Sequence, residues 1–305
     1  MIELRGSRII VAGGTGLVGI RLVEELLKQG AAVQVITRNP RRARLPEGAQ
    51  ACSWEDLPRL VDGSSAIINL AGEAIADRRW SPVRKQALHE SRIAPTRSLV
   101  SALAQANHGP SVLINASAIG IYGTRGEESV NEDQAPGVGF LPELCRAWEA
   151  TADSARALGI RVVLLRTGVV LAREGGALPK LALPLRCFAG TVLGSGRQGF
   201  SWIHIEDLVQ LVLESIGNPA FAGPLNATAP HPCSQGAFTR LLAKRLHRPL
   251  WPVPGFISGA MLKLLLGEMA EPMLLGGAFV LPKKSLDLGF HFRFPQAADA
   301  LQDLL

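Results

Sequence analysis

The sequence predicts an α/β protein, a doubly wound parallel sheet with a smaller C-terminal lobe. Three observations carry that prediction. Short Val/Ile/Leu runs alternate with longer amphipathic segments through the first two-thirds of the 305 residues. The first junction between such segments is a glycine-rich turn. After Gly168 the alternation gives way to Gly- and Pro-rich sequence. Strand–helix–strand alternation of this kind favours parallel strands joined by helical crossovers.

Arg8–Ala12, Ala32–Thr37, Ala66–Ala71, Val112–Ala116 and Arg161–Arg166 read as strands. Each is apolar without strict alternation, as for strands buried on both faces. Gly16–Gln29 reads as a helix with Leu17, Val18, Leu22, Val23, Leu26 and Leu27 on one stripe and Gly30 at its stop. Ser81–Gln105 and Gly139–Leu158 read as later helices. Residues 173–200, with Gly175-Gly176, Pro179, Pro184, Gly190, Gly194, Gly196 and Gly199, read as loops around one short helix. Helical periodicity returns from Ile205 to Gly217, and Ser234 is a candidate cap for a helix bearing Phe238, Leu241, Leu242 and Leu246. Residues 1–170, with 201–222 returning to them, are expected to form the larger domain. Residues 171–200 and 223–305 are expected to form a small lobe, for substrate or partner, that shares its core.

A hydrophobic content of 47% with 19% charged residues argues against disorder. Met1–Arg8 leads straight into Ile9-Ile10-Val11-Ala12-Gly13, without the basic head, apolar stretch and cleavage site of a secretory signal. Phe256–Leu275 is interrupted by Lys263, Glu268, Glu271 and Pro272, whereas a spanning helix needs about 20 mostly uncharged residues. No integral membrane segment is expected; a helix packed in a core is the reading there, with an amphipathic membrane-surface role as the alternative. Cys52, Cys145, Cys187 and Cys233 are scattered, with no C-x-x-C. They fit reduced thiols in a cytoplasmic protein and argue against a zinc site or a disulfide framework, so no metal is expected. The net charge of +6 could suggest nucleic acid. Its basic residues, however, cluster locally as Arg38, Arg41, Arg42, Arg44 and as Arg78, Arg79, Arg84, Lys85, without interleaved aromatics. A phosphate-bearing small ligand accounts for the first cluster, so no nucleic-acid partner is expected. The second reads equally well as a solvated basic face.

Gly13-Gly14-Thr15-Gly16-Leu17-Val18-Gly19 follows the first strand and opens the first helix. Gly13, Gly16 and Gly19 give G-x-x-G-x-x-G: one glycine for a sharp turn, one for close approach of a pyrophosphate, one for helix–strand packing. The N–H groups at the helix start, from Thr15 through Gly19, then face the phosphates. This predicts a Rossmann-like dinucleotide site. An enzyme selecting NAD usually carries an acid about 20 residues further on. Here the segment reads Thr37-Arg38-Asn39-Pro40-Arg41-Arg42. Arg38 could fork onto a 2′-phosphate, so NADP is the expected cofactor; the alternative for Arg38 is a solvent-facing charge.

With Asn69-Leu70-Ala71-Gly72, Ser117-Ala118, Tyr122-Gly123 and Ser201-Trp202-Ile203-His204-Ile205-Glu206-Asp207 added, the chain resembles the extended short-chain dehydrogenase/reductases. Gly72-Glu73-Ala74-Ile75, Ser91-Arg92-Ile93, Cys145-Arg146-Ala147-Trp148-Glu149 and Leu165–Leu171 narrow the likeness. They resemble an atypical epimerase-like branch with a C-terminal domain of unknown function, some of whose members carry the label of SulA-type cell-division inhibitors. The resemblance covers essentially the whole chain. It implies that Leu70, Ala71 and Gly72 pass along the adenosine and ribose, and that Ser117 lies near the nicotinamide. It also admits a homodimer and a division-related protein partner. Asp207 reads as an anchor of a helix start, with contact to substrate as the alternative; His204 reads as a structural histidine, with a general acid as the alternative; and Arg92 and Glu73 read as exposed residues that could instead lend charge to the pocket.

Working members use a tyrosine to exchange the proton that accompanies hydride transfer and a lysine to lower its pKa. Counting back from Glu149, the tyrosine slot falls on Leu141 and the lysine slot on Cys145. Tyr122 is the only tyrosine, and Gly126 stands four residues after it, so no shifted dyad exists. Tyr122 could be a pocket wall, a substitute proton donor, or simply buried. Ser117 could contact cofactor or substrate, or be a plain strand-end serine; it stands one residue further from the Tyr-Gly than is usual. Two functions remain open. One is an NADP-dependent reductase or epimerase-like enzyme acting on a small carbonyl or alcohol, its proton coming from water, Tyr122, Ser117 or the substrate. The other is a non-catalytic NADP(H)-binding regulatory protein that docks a partner connected with cell or organelle division.

Overall fold

The computed structural model describes residues 4–305, with 256, 258, 263, 265 and 266 described through their backbone only. Seven parallel strands form the central sheet: β1 (Arg8–Ala12), β2 (Ala32–Ile36), β3 (Gln50–Cys52), β4 (Ala66–Asn69), β5 (Val112–Ala118), β6 (Arg161–Thr167) and β7 (Gly223–Ala227), in the order β7-β6-β5-β4-β1-β2-β3. The order reverses beside β1, which opens a crevice at the C-terminal ends of β1 and β4, where such sheets take their ligands. Those ends are held in register, Ala12 opposite Asn69 and Asn69 opposite Asn115.

Alternate side chains of the strands supply two cores. Ile9 and Val11 pack with Leu22, Val23 and Leu26 of helix α1 (Leu17–Lys28). Ile10 and Ala12 face the opposite layer, with Leu99 and Leu103 of α2 (Pro82–Leu103) and Ala152 of α3 (Phe140–Asp153). Ser81 caps α2 by accepting the Arg84 N–H at 3.1 Å. After β6 comes α4 (Leu178–Arg186), the one short helix amid the 173–200 loops, and then α5 (Ile205–Gly217) returns to the first core.

A third core lies in the C-terminal lobe. It joins Leu178 and Leu185 of α4, Trp202, Phe238 and Leu242 of α6 (Gln235–Arg245), and Leu301 and Leu304 of the last helix. Ser234 caps α6 through the Ala237 N–H, at 3.2 Å. Asp207 accepts the Arg293 and Phe294 N–H groups at 2.7 and 3.0 Å, so its carboxylate ties the lobe's last segment to the start of α5.

Two features differ from the expectation. Gly223–Ala227, assigned from sequence to the small lobe, is the edge strand of the sheet, parallel to β6. Its Gly223-Pro224-Leu225-Asn226 sequence carries no strand signal, and proline is tolerated in a strand only at an edge. Phe256–Leu275, expected to be a helix packed in a core, breaks into α7 (Gly255–Leu266) and two short turns, and α7 leaves Ile257, Met261 and Leu264 exposed. No helix among the described residues is long and apolar enough to cross a membrane.

Candidate functional site

The turn between β1 and α1 contains glycines of two kinds. Gly13 has φ +80°, and a Cβ on it would lie 2.6 Å from the Leu70 carbonyl carbon and oxygen. A Cβ on Gly19 would run into the Gly13 carbonyl oxygen. Both are required by the chain's own packing. Gly16 is not: its φ of −82° and ψ of 172° suit any residue, and a Cβ there would meet nothing closer than the Gly13 oxygen at 3.5 Å. Gly16 and its neighbour Thr15 are exposed. No side chain caps α1, so the N–H groups of Leu17, Val18 and Gly19 lack intrahelical acceptors at the positive end of the helix. A phosphate fits such a turn. The Leu17 side chain is covered by Gly175 and Gly176, where a Cβ would come within 3.2 and 3.3 Å of it.

Arg38 stands two residues beyond the end of β2, exposed, with no hydrogen bond or ion pair among the described residues. A guanidinium without a carboxylate partner is free to take an anion.

The other wall of the crevice is fixed by a buried amide network. Asn69 donates to Thr96 Oγ1 at 2.8 Å and to Asn115 Oδ1 at 2.6 Å, while its own oxygen accepts the Ala71 N–H at 3.2 Å. Trp148 Nε1 donates to the same Thr96 oxygen at 3.0 Å. These bonds hold Leu70, Ala71 and Gly72 beside the glycine turn.

Arg92 was expected to be exposed, yet it is half-buried beneath Gly72, where a Cβ would meet its side chain at 3.3 Å. Its guanidinium donates to the Leu88 and Glu73 carbonyls at 3.0 and 2.9 Å and lies 5.2 Å from the Trp148 ring. Glu73 is pinned by Arg84 through its carboxylate and by Ser91, which accepts its N–H at 3.2 Å.

The two vacated positions lie on α3. Leu141 borders a cavity of about 230 Å³, together with Trp80, Gly120, Thr124, Phe140 and Pro142. Trp80 and Phe140 meet edge to face at 5.0 Å, and Glu268 and Glu271 stand at the rim. Lys85 binds both Glu268 oxygens at 2.6 Å. Cys145 is buried one helical turn on. Burial and the charge of Glu149 push its thiol up to about 11, and the Arg92 charge offsets only part of that.

Ser117 and Tyr122 belong to one buried hydrogen-bond chain. Ser117, 4% exposed, donates to Glu149 Oε1 at 2.7 Å. Glu149 takes Arg166 in a two-pronged pair, both bonds 2.9 Å. Arg166 Nη1 donates to the Tyr122 hydroxyl at 3.0 Å, and that hydroxyl donates to Asn226 of β7 at 2.7 Å. Burial pulls the Arg166 guanidinium down, but its bonds to Glu149 outweigh this and leave it above the ordinary arginine value. Burial raises the Tyr122 phenol, and the nearby guanidinium offsets only part of that. Tyr122 is 1% exposed, so neither hydroxyl opens toward the cavity.

His204 is buried against Phe294, ring centroids 3.8 Å apart, and its Nδ1 accepts the Glu206 N–H at 3.2 Å. Among the described residues no cluster of His, Cys, Asp and Glu could hold a metal ion.

The profile of the NAD dependent epimerase/dehydratase family matches residues 9–226, and that of a domain of unknown function, DUF1731, matches residues 257–304. The chloroplastic epimerase family protein SDR39U1 homolog of Arabidopsis thaliana is 40% identical over 309 residues, covering 97% of this chain and 86% of its own. Epimerase family protein YfhF of Bacillus subtilis is 38% identical over 308 residues, covering 97% of each chain. The crystal structure of human epimerase family protein SDR39U1, determined with NADPH, superposes with a TM-score of 0.86 at 31% identity, covering 97% of this chain and 98% of that one. The chain belongs to the NAD dependent epimerase/dehydratase family and resembles SDR39U1 proteins over nearly its whole length.

Proposed function

We propose that this member of the epimerase/dehydratase family is an NADP(H)-dependent reductase or epimerase-like enzyme. Its substrate is a small carbonyl or alcohol, and water or the substrate itself supplies the proton that a Tyr–Lys dyad would otherwise handle. One observation carries the cofactor assignment: beyond the mild preference of a helix N-cap for glycine, nothing in the chain packs against Gly16, and the space a Cβ would fill lies on the open side of an uncapped helix start. NADPH bound to the human relative supports the same cofactor here.

In this reading the pyrophosphate lies against the amides from Gly13 through Gly19, including Thr15, Leu17 and Val18. Leu70, Ala71 and Gly72 border the adenosine and ribose, and Arg38 forks onto the 2′-phosphate. When bound, the cofactor supplies hydride. The chain's residues orient and enclose. The cavity at Leu141 is walled by Trp80, Phe140 and Pro142, which suits a compact, largely apolar substrate. Arg92 supplies the fixed positive charge that Cys145 cannot. Ser117 and Tyr122, the catalytic candidates of the sequence, act instead through Glu149 and Arg166 as positioning groups that hold β5, α3, β6 and β7 together. Lacking general acid catalysis costs about 10²–10⁴-fold in rate, so slow turnover is expected.

The experiment is decay of NADPH fluorescence in the presence of aldehydes, ketones and nucleotide sugars. Slow oxidation with a small apolar carbonyl supports the proposal. Tight retention of NADPH with neither coenzyme oxidation nor an epimerised product from any of them supports the second reading, a non-catalytic NADP(H)-dependent regulator with a protein partner in division. The burial of both candidate hydroxyls in an ion-pair network favours that alternative.

A further inference from the structure

Arg146, Glu149 and Asp153 recur along α3 at the spacing of one helix face. That face borders a second cavity, of about 370 Å³, whereas Phe140, Leu141 and Pro142 at the start of the same helix border the first. Its apolar lining is Leu164 of β6 and Pro224 of β7, opposite each other in register, with Ile121 and Pro136. Arg156, in the turn that follows α3, completes its polar side.

The carboxylates of this groove are already engaged. Glu149 is held by Arg166 through two bonds of 2.9 Å, and Asp153 pairs with Arg156 Nε at 2.5 Å. Arg146 is exposed, with no hydrogen bond or ion pair among the described residues. Lys284 reaches the same end of the groove as Arg156: a Cβ on Gly223 would lie 3.3 Å from Arg156 Nη2 and 3.8 Å from Lys284 Nζ. Its ammonium donates to the Ala222 carbonyl at 2.8 Å and to no carboxylate among the described residues. Glu132, which attracts that ammonium, accepts the Asn226 and Lys284 N–H groups at 3.0 and 3.4 Å. Arg146, Arg156, Arg166 and Lys284 thus stand against Glu149, Asp153 and Glu132, and the balance is positive.

We propose that this groove is a second ligand site, for a phosphate monoester on a small apolar body. A phosphate accepts guanidinium forks along more than one edge, so Arg146 and Arg156 can both serve it, whereas a carboxylate offers one such edge. Leu164, Pro224, Ile121 and Pro136 suit a ring or short chain, and about 370 Å³ is in the range of small-molecule sites. The glycine turn follows β1, and β6, β5 and β4 lie between that strand and β7, so the groove is separate from the cofactor crevice. The proposal is independent of the chemistry assigned to that crevice.

The test is calorimetric titration of the full chain with phenyl phosphate, before and after saturation with NADPH. Saturable binding is expected in both, about tenfold or more tighter than that of inorganic phosphate, which buries no ring. Arg146→Glu and, separately, Ala150→Glu, both at exposed positions of α3 that line the groove, should each weaken it about tenfold or more. Melting temperature and NADPH binding should not change in either variant. The proposal is overturned by absence of saturable heat, by binding that either variant leaves intact, or by equal binding of inorganic phosphate. Binding abolished by NADPH would also overturn it, by placing the phosphate in the glycine turn. A chain that takes no NADPH would refute the cofactor assignment alone, since phenyl phosphate and the two variants still decide this site.

Discussion

Replacing Gly16 by Ala separates the two kinds of glycine in the β1–α1 turn. In the folded chain the new methyl meets only the Gly13 oxygen, at 3.5 Å, and the backbone already has φ −82°. The remaining cost is that of Ala at a helix N-cap, about 0.5–1 kcal/mol, a shift of only a few degrees in a chain of this size. Against a bound pyrophosphate the methyl overfills a close contact. Overpacking costs about 1–3 kcal/mol, or roughly 5- to 150-fold in the Kd for NADPH. Gly13→Ala should behave oppositely. Its left-handed φ of +80° and a Cβ 2.6 Å from the Leu70 carbonyl combine about 1–2 kcal/mol of backbone cost with a backbone displacement of similar size. That variant should lose stability before any ligand is added. Thermal unfolding of the apo chain and calorimetric titration with NADPH measure both effects. The reasoning is refuted if Gly16→Ala binds NADPH as the parent does, or unfolds as early as Gly13→Ala.

Glu149→Gln leaves the Arg166 guanidinium buried without its carboxylate and should cost about 3–5 kcal/mol in urea unfolding; a loss below about 1 kcal/mol would contradict the structural role given to the Ser117–Glu149–Arg166–Tyr122 chain. Burial holds the His204 imidazole below its ordinary value, although Asp303 and Glu206 pull the other way. The unfolded chain therefore takes a proton first, and stability present above about pH 6.5 should be lost as pH falls from there toward the depressed folded value. His204→Asn keeps a cap for the Glu206 N–H and should flatten that slope in urea midpoints between about pH 7.5 and about pH 5.5; an unchanged slope would refute the assignment. Cys145→Lys would bury a second cation beside Arg92 and should destabilise by several kcal/mol. Leu141→Tyr faces the cavity and should cost far less, as circular-dichroism melts of the two variants would show.

Why some of this was legible in the sequence and some was not has physical causes. Ile9, Ile10, Val11 and Ala12 are buried on both faces of the sheet, and that produces the unbroken apolar runs from which strands can be read. The β1–α1 turn was legible because close backbone approach leaves only glycine. β7 was not, because an edge strand tolerates Gly223-Pro224, pairs with β6 on one side only, and is otherwise held by residues distant in sequence. The fate of Tyr122 depends on Asn226, 104 residues away in that unrecognised strand, and that of Ser117 on Glu149, 32 residues on. No local pattern reports such partners. Arg92 sits among polar residues on α2 that read as a solvated face, and only the close approach of Gly72 shows that the loop folds back over it.

Isothermal titration of the apo chain with NADPH and with NADH, repeated on Arg38→Asp, tests the account most directly. It predicts tighter binding of NADPH by the parent chain and a loss in the variant that falls far more heavily on NADPH than on NADH. Equal losses for the two coenzymes, or no heat with either on the parent chain, would contradict it.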